Sequence, residues 1–109
     1  MKLVLTIVHA DDASELSSQL AEAGFGVTRI KSLGGFLKKH NATFLMGVTD
    51  HQLETVLQII RDRCHVRTEA VSPVPPLVEP GEVFLPYPVE VEVGGATVFV
   101  LNVERFERL

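Results

Sequence analysis

Apolar and polar positions along this chain fall into two rhythms, and their order predicts a fold. Leu3-Val4-Leu5-Thr6-Ile7-Val8 is apolar at both parities, the pattern of a strand covered on both faces. Ala13, Leu16, Leu20 and Ala23 then recur at helical spacing as one apolar stripe. Asp12, with Glu15 three residues on, reads as an N-cap pair, and Gly24 stands where helices often end in a left-handed residue. Phe25 to Lys31 predicts a second strand of imperfect alternation, and Thr43 to Val48 a third. Thr49 and Gln52 have capping-box spacing, and Leu53, Val56, Leu57 and Ile60 follow as the stripe of a second helix ending near Arg63-Cys64.

Beyond that helix, His65 to Val71 reads as a short strand. The texture then changes, because all six prolines lie between Pro73 and Pro88, and neither Pro75-Pro76 nor Pro80-Gly81 can continue a helix or central strand. A connection this long is expected to be a lid, a binding loop or a disordered segment. Val89-Glu90-Val91-Glu92-Val93 alternates strictly, Gly94-Gly95 supplies the positive φ of a two-residue hairpin turn, and Ala96 to Val103 returns apolar on both faces. The elements run strand, helix, strand, strand, helix, strand, with extra strand material near the end. The natural solution is α+β, a ferredoxin-like βαββαβ sandwich with an added hairpin strand and both helices on one sheet face. The other face then needs cover, which copies of the chain would supply.

Composition narrows the class. At 109 residues the expectation is a single domain, 1–109, with a glycine loop at 32–41 and a long Pro-rich loop at 72–88. A net charge of −4 argues against a nucleic-acid polymer as partner. No apolar run approaches the ~20 residues of a membrane span, so no membrane insertion and a cytoplasmic location are expected. Cys64, the single cysteine, fits a reducing compartment and a buried position. Charge is unevenly spread: no acidic residue lies between Glu22 and Asp50, while Arg29, Lys31, Lys38 and Lys39 all do. Such a window can attract a small anion, and chance clustering is the competing explanation.

Candidate chemistry gathers in Ser32-Leu33-Gly34-Gly35-Phe36-Leu37-Lys38-Lys39-His40-Asn41. Paired glycines, an aromatic face, a lysine pair and an amide between two strands are equipment for a small planar anion such as a nucleotide; an ordinary hairpin loop is the alternative. Gly47, inside a predicted strand, marks either close approach by a backbone or ligand, or a bulge or tight packing contact. No catalytic constellation stands out. His9, His40, His51 and His65 lack metal-ligand spacing, the P-loop pattern and a nucleophile elbow are absent, and Asp12 is better explained as a cap than as a metal ligand beside His9. The expectation is a binding protein with no catalytic or metal site and no cofactor.

Three segments carry a resemblance: Gly34-Gly35-Phe36-Leu37; Asn41 with Thr43-Phe44-Leu45 and Gly47-Val48; and Pro86-Tyr87-Pro88-Val89-Glu90-Val91-Glu92-Val93-Gly94-Gly95-Ala96-Thr97-Val98-Phe99-Val100. Together they resemble the PII-like cyclic-di-AMP receptor family of bacteria, from the first strand to Phe106. The resemblance implies a homotrimeric, ferredoxin-like signal-transduction receptor. Cyclic di-AMP would bind between subunits, reorder the glycine loop and the long loop, and so signal to an unknown downstream protein. Family contact positions that match are Thr28, Gly35, Phe36, Leu37, Asn41 and Gly47. Phe36 would stack on adenine, Asn41 would bond a base edge, Thr28 would bring a hydroxyl, and the glycines would permit close approach.

The departures from the family pattern matter as much. Relatives often carry an asparagine and an arginine where this chain has Gly24 and Gly26, which removes an amide and a guanidinium, the best bidentate phosphate partner. Relatives commonly have glutamine at the position of Arg108, and small residues at those of Leu33 and His40. Arg29, Lys38 or Arg108 are the cations that would have to compensate. The competing readings are therefore a PII-like trimer sensing a different nucleotide or metabolite, a structural adaptor trimer with a vestigial pocket, and, last, an enzyme acting on a nucleotide.

Overall fold

In a computed structural model of the protein, β1 (Lys2–His9) runs through the middle of the main sheet. The structure describes residues 1–32, 41–71 and 89–109; most of the predicted glycine loop and the whole Pro-rich loop lie outside them. After β1 come α1 (Ala10–Glu22), β2 (Thr28–Ser32), β3 (Asn41–Val48), α2 (Leu53–Cys64), β4 (Arg67–Val71), β5 (Val89–Val93) and β6 (Ala96–Asn102). β1 pairs antiparallel with β3 on one side and β6 on the other, and β2 adds outside β3, giving the order β2-β3-β1-β6. This is the ferredoxin-like α+β arrangement that the order of elements predicts.

Strand alternation decides which residues the helices cover. Val4, Thr6 and Val8 of β1 are buried, as are Ala42, Phe44, Met46 and Val48 of β3, whereas Leu3, Leu5 and Ile7 are only half-buried. From the helices, Ala13, Leu16 and Leu20 of α1 and Val56, Ile60 and Cys64 of α2 close the same core. Each fully buried Leu, Val, Met or Phe side chain contributes about 1.5–3 kcal/mol. The two-sided apolar pattern of β1 therefore has cover on one side only.

Several local expectations are corrected. Asp12 does not cap α1: the helix starts earlier, His9 is the N-cap residue, and no side chain caps it. Asp12 instead sits in the first turn and receives Arg67, while Glu15 pairs with Arg63 at 2.9 Å. At α2, Leu53 is the first helical residue, so Gln52 rather than Thr49 is the N-cap. Half of the expected box survives, because the Gln52 side chain accepts from the Thr49 backbone N–H at 3.0 Å. Ala23 ends α1 on the exposed side instead of extending the buried stripe.

The larger correction concerns the hairpin. Gly94 and Gly95 have positive φ, 83° and 85°, as a two-residue turn would need. Yet β5 does not pair with β6. It pairs antiparallel with β4 as a separate two-stranded ribbon, Arg67 opposite Val93, while β6 pairs with β1. The glycines redirect the chain from one sheet to the other. An added Cβ on Gly94 would come within 2.5 Å of the His65 carbonyl oxygen, so this crossing needs a bare Cα as well as a left-handed backbone.

Cys64 is buried, and burial, aided by the Asp12 carboxylate and opposed by Arg67, pushes its thiol from 9.0 up to about 12. A raised thiol pKa favours the fold fully below the unfolded value, and that contribution is lost as pH rises from there through the folded value. Between pH 9 and 10.5 the stability of the protein is expected to fall more steeply than that of Cys64→Ala, by a slope that grows toward about 1.4 kcal/mol per pH unit. Urea denaturation across that range measures the difference, and parallel curves for the two proteins would contradict it.

Candidate ligand site on the open sheet face

The face of the sheet away from the helices is built by the odd positions of β1 and β3. Residues directly opposite in register share a face, so Leu3, Leu5, Ile7 and His9 of β1 lie with Gly47, Leu45, Thr43 and Asn41 of β3. β2 adds Thr28 beside Leu45 and Ile30 beside Thr43; β6 adds Leu101 beside Leu3 and Phe99 beside Leu5. Ile30, Phe99 and Leu101 are 42%, 42% and 48% exposed, so large apolar side chains stand uncovered on this face. An apolar face of this kind marks an interaction surface.

Three of the six residues that the resemblance marks as ligand contacts are described, and all three lie on this face. Thr28 is exposed, Asn41 half-buried and Gly47 exposed. Thr28 is opposite Leu45, two residues before Gly47, so Thr28 and Gly47 are diagonal neighbours at roughly 7–8 Å. Asn41 is six residues from Gly47 along β3, roughly 20 Å away at strand rise. One copy thus brings Thr28 and Gly47 together and leaves Asn41 at the far end, beside His9, where the glycine loop begins. Gly35, Phe36 and Leu37 lie outside the described residues.

The register at Gly47 excludes one of the alternatives left open for it. β3 keeps unbroken register with β1 through Leu3 opposite Gly47, so there is no bulge. A Cβ added there would meet nothing within 4 Å among the described residues, so no packing contact with them requires glycine. No described residue stands above the strand at that position on the open face.

Gly24 and Gly26 differ from each other. Gly24, at φ 87°, ends α1 in a Schellman motif: its N–H bonds the Ala21 carbonyl, and the Phe25 N–H reaches back to Leu20, each at 3.0 Å. Gly26 has no positive φ, and a Cβ on it would meet nothing within 4 Å. No described residue forbids a side chain there. Arg29, a cation expected to compensate, is on the wrong side of β2 for Thr28: strand alternation turns it to the helix face, its guanidinium 6.0 Å from the ring centroid of buried Phe44. Arg108 is exposed in the C-terminal tail, and Lys38 lies outside the described residues.

A family model described as cyclic-di-AMP receptor matches residues 1–109. The chain belongs to the cyclic-di-AMP receptor family, a family of binding and signalling proteins. A functionally unknown protein from Pediococcus pentosaceus, whose crystal structure is solved, is 39% identical over 99% of this chain and 96% of its own, with a TM-score of 0.77. The fold is therefore shared along its whole length with that protein. No helix among the described residues is long and apolar enough to cross a membrane.

The two glycines near the site are expected to respond oppositely to a methyl group. Gly24→Ala should lower stability by about 1 kcal/mol, because alanine resists the left-handed conformation, whereas Gly26→Ala should be neutral or slightly stabilising. Urea melts of the two variants against the parent protein check the contrast.

Proposed function

We propose that this protein is a cytoplasmic, single-domain PII-like receptor that assembles as a homotrimer and binds cyclic di-AMP between subunits. Family membership over the entire chain supports the ligand, and the uncovered apolar sheet face carrying Thr28, Gly47 and Asn41 supports the interface. The roughly 20 Å between Asn41 and Gly47 favours a site shared between copies, because a compact ligand on one chain would reach only one end of β3. In this reading Thr28 offers a hydroxyl, Gly47 and Gly35 admit the ligand close to the backbone, and Leu37 packs beside it. Phe36 stacks on adenine and Asn41 bonds a base edge. Ligand-dependent reordering of the two loops would then be read by a downstream protein.

The carrying observation is the coincidence of that open face with the family's contact positions. Calorimetric titration with cyclic di-AMP should give saturable heat, and light scattering should give three times the chain mass. Ligand at one hundred times Kd should stabilise the protein by about 2.7 kcal/mol. Absence of both heat and a melting shift at high micromolar ligand would overturn the assignment.

Gly26 favours a second reading, in which the pocket serves another nucleotide or metabolite. It leaves space where relatives carry an arginine, and Arg29 lies on the opposite side of the strand. A melting-shift panel of ATP, ADP, AMP and cyclic dinucleotides separates the two readings. Gly26→Arg is expected to fold normally and to tighten cyclic di-AMP binding by about tenfold or more, the size of a charge-assisted contact to phosphate. If the parent binds another nucleotide best and Gly26→Arg shifts preference to cyclic di-AMP, the second reading holds.

A further inference from the structure

The β4–β5 ribbon has little to hold it. Thr68, Glu69, Ala70, Glu90 and Glu92 are all exposed, and a lone two-stranded hairpin is marginally stable in water. Its fixed points are at the base. There Arg67, the only cation among the described ribbon residues, places Nη2 2.9 Å from Asp12 Oδ1 and Nη1 3.4 Å from Oδ2. The Asp12 side chain is 8% exposed and that of Arg67 33%, so this forked pair is screened less than a surface ion pair. Nη1 also donates to the His65 carbonyl at 3.4 Å, and Nε lies 3.6 Å from Glu69.

Gly94 shows how closely the base is fitted. A Cβ on it would come within 2.6 Å of Arg67 Nη1, besides striking the His65 carbonyl, and one on Gly95 would sit 3.0 Å from Val66. The bare Cα of Gly94 lets the guanidinium lie between the crossing chain and α1. Charge makes the contact specific. The first turn of α1 carries Asp11 and Asp12, and Glu69 shares the ribbon face of Arg67, so without Arg67 that face would bring a carboxylate and no cation to an acidic helix start. Asp12 is also close in sequence to the sheet end that opens into the glycine loop: α1 starts directly after His9, and His9 pairs with Asn41.

We propose that the Asp12–Arg67 pair is a latch that holds the β4–β5 ribbon in order against the first turn of α1. Through the His9–Asn41 pairing it couples the ribbon to the loop end of the main sheet. Arg67 and Asp12 are positioning residues here, neither one on the open face. Closed, the latch fixes the base of both ribbon strands through Arg67 and, across the register, Val93. Open, the described part of the ribbon keeps its own ladder but loses its ion pair to the helix. A signalling role for this coupling rests on the ligand reading above; the latch itself does not.

Hydrogen exchange and backbone NMR on the ligand-free protein test it, so failure of the latch is distinguishable from failure of the ligand assignment. Arg67→Met keeps the aliphatic stem but leaves Asp12 buried and unpaired; the double variant Asp12→Asn, Arg67→Met removes the ion pair without an orphan charge. In the double variant, amides of 68–71 and 90–93 should exchange about tenfold faster or more while those of β1 keep their parent rates, the pattern of local opening. Backbone shifts at His9 and Asn41 should move as well, as coupling requires. If Arg67→Met unfolds, the double variant alone decides. Parent-like ribbon exchange in the double variant would overturn the latch, and unmoved His9 and Asn41 shifts would overturn the coupling.

Discussion

Two helices can cover one face of a four-stranded sheet and no more, and the rest of this molecule follows from that limit. Antiparallel pairing puts the side chains of β1 alternately up and down, so Val4, Thr6 and Val8 go under α1 and α2 while Leu3, Leu5 and Ile7 go to the other side. The uncovered side is apolar across all four strands, from Ile30 at one edge to Phe99 and Leu101 at the other. Leaving such a surface in water forfeits roughly 25 cal/mol per Å² that a partner surface would recover. The same limit locates the candidate site, since Thr28, Gly47 and Asn41 stand on the side that the two helices do not cover.

Glycine works in two distinct ways around that sheet. At Gly24, Gly94 and Gly95 the requirement is conformational, because each sits at a φ between 83° and 87° that other residues resist. At Gly26 and Gly47 the described residues ask for nothing: neither glycine has positive φ, and neither has a described atom within 4 Å of where a Cβ would be. No described residue fills the space at those two positions.

Much of the fold was legible in the sequence because short-range rules carry it. The stripes Ala13-Leu16-Leu20 and Val56-Ile60 name the buried helix faces, Gly24 names the end of α1, and strict alternation names β5. The site was legible in part, through motifs matching a known family. Helix starts were less so: a carboxylate near a helix start serves as a cap or as an ion-pair partner, and Asp12 became the second only because Arg67, 55 residues on, reaches it.

What the sequence determined by itself is the set of elements, their apolar faces and the family. What only the tertiary structure decided is which strands meet and which glycines the backbone conformation requires. Val89–Val93, Gly94-Gly95 and Ala96–Asn102 read as a hairpin because two left-handed residues between two strands make one; the observed chain uses the same two residues to leave the ribbon and join β1. Local conformation was encoded locally, and pairing was not, because β6 finds a better partner in a buried central strand than in its exposed sequence neighbour. The face assignment of Arg29 is of the same kind: its charge is visible in the sequence, but the register of β2 on β3 sends it to Phe44 and away from Thr28.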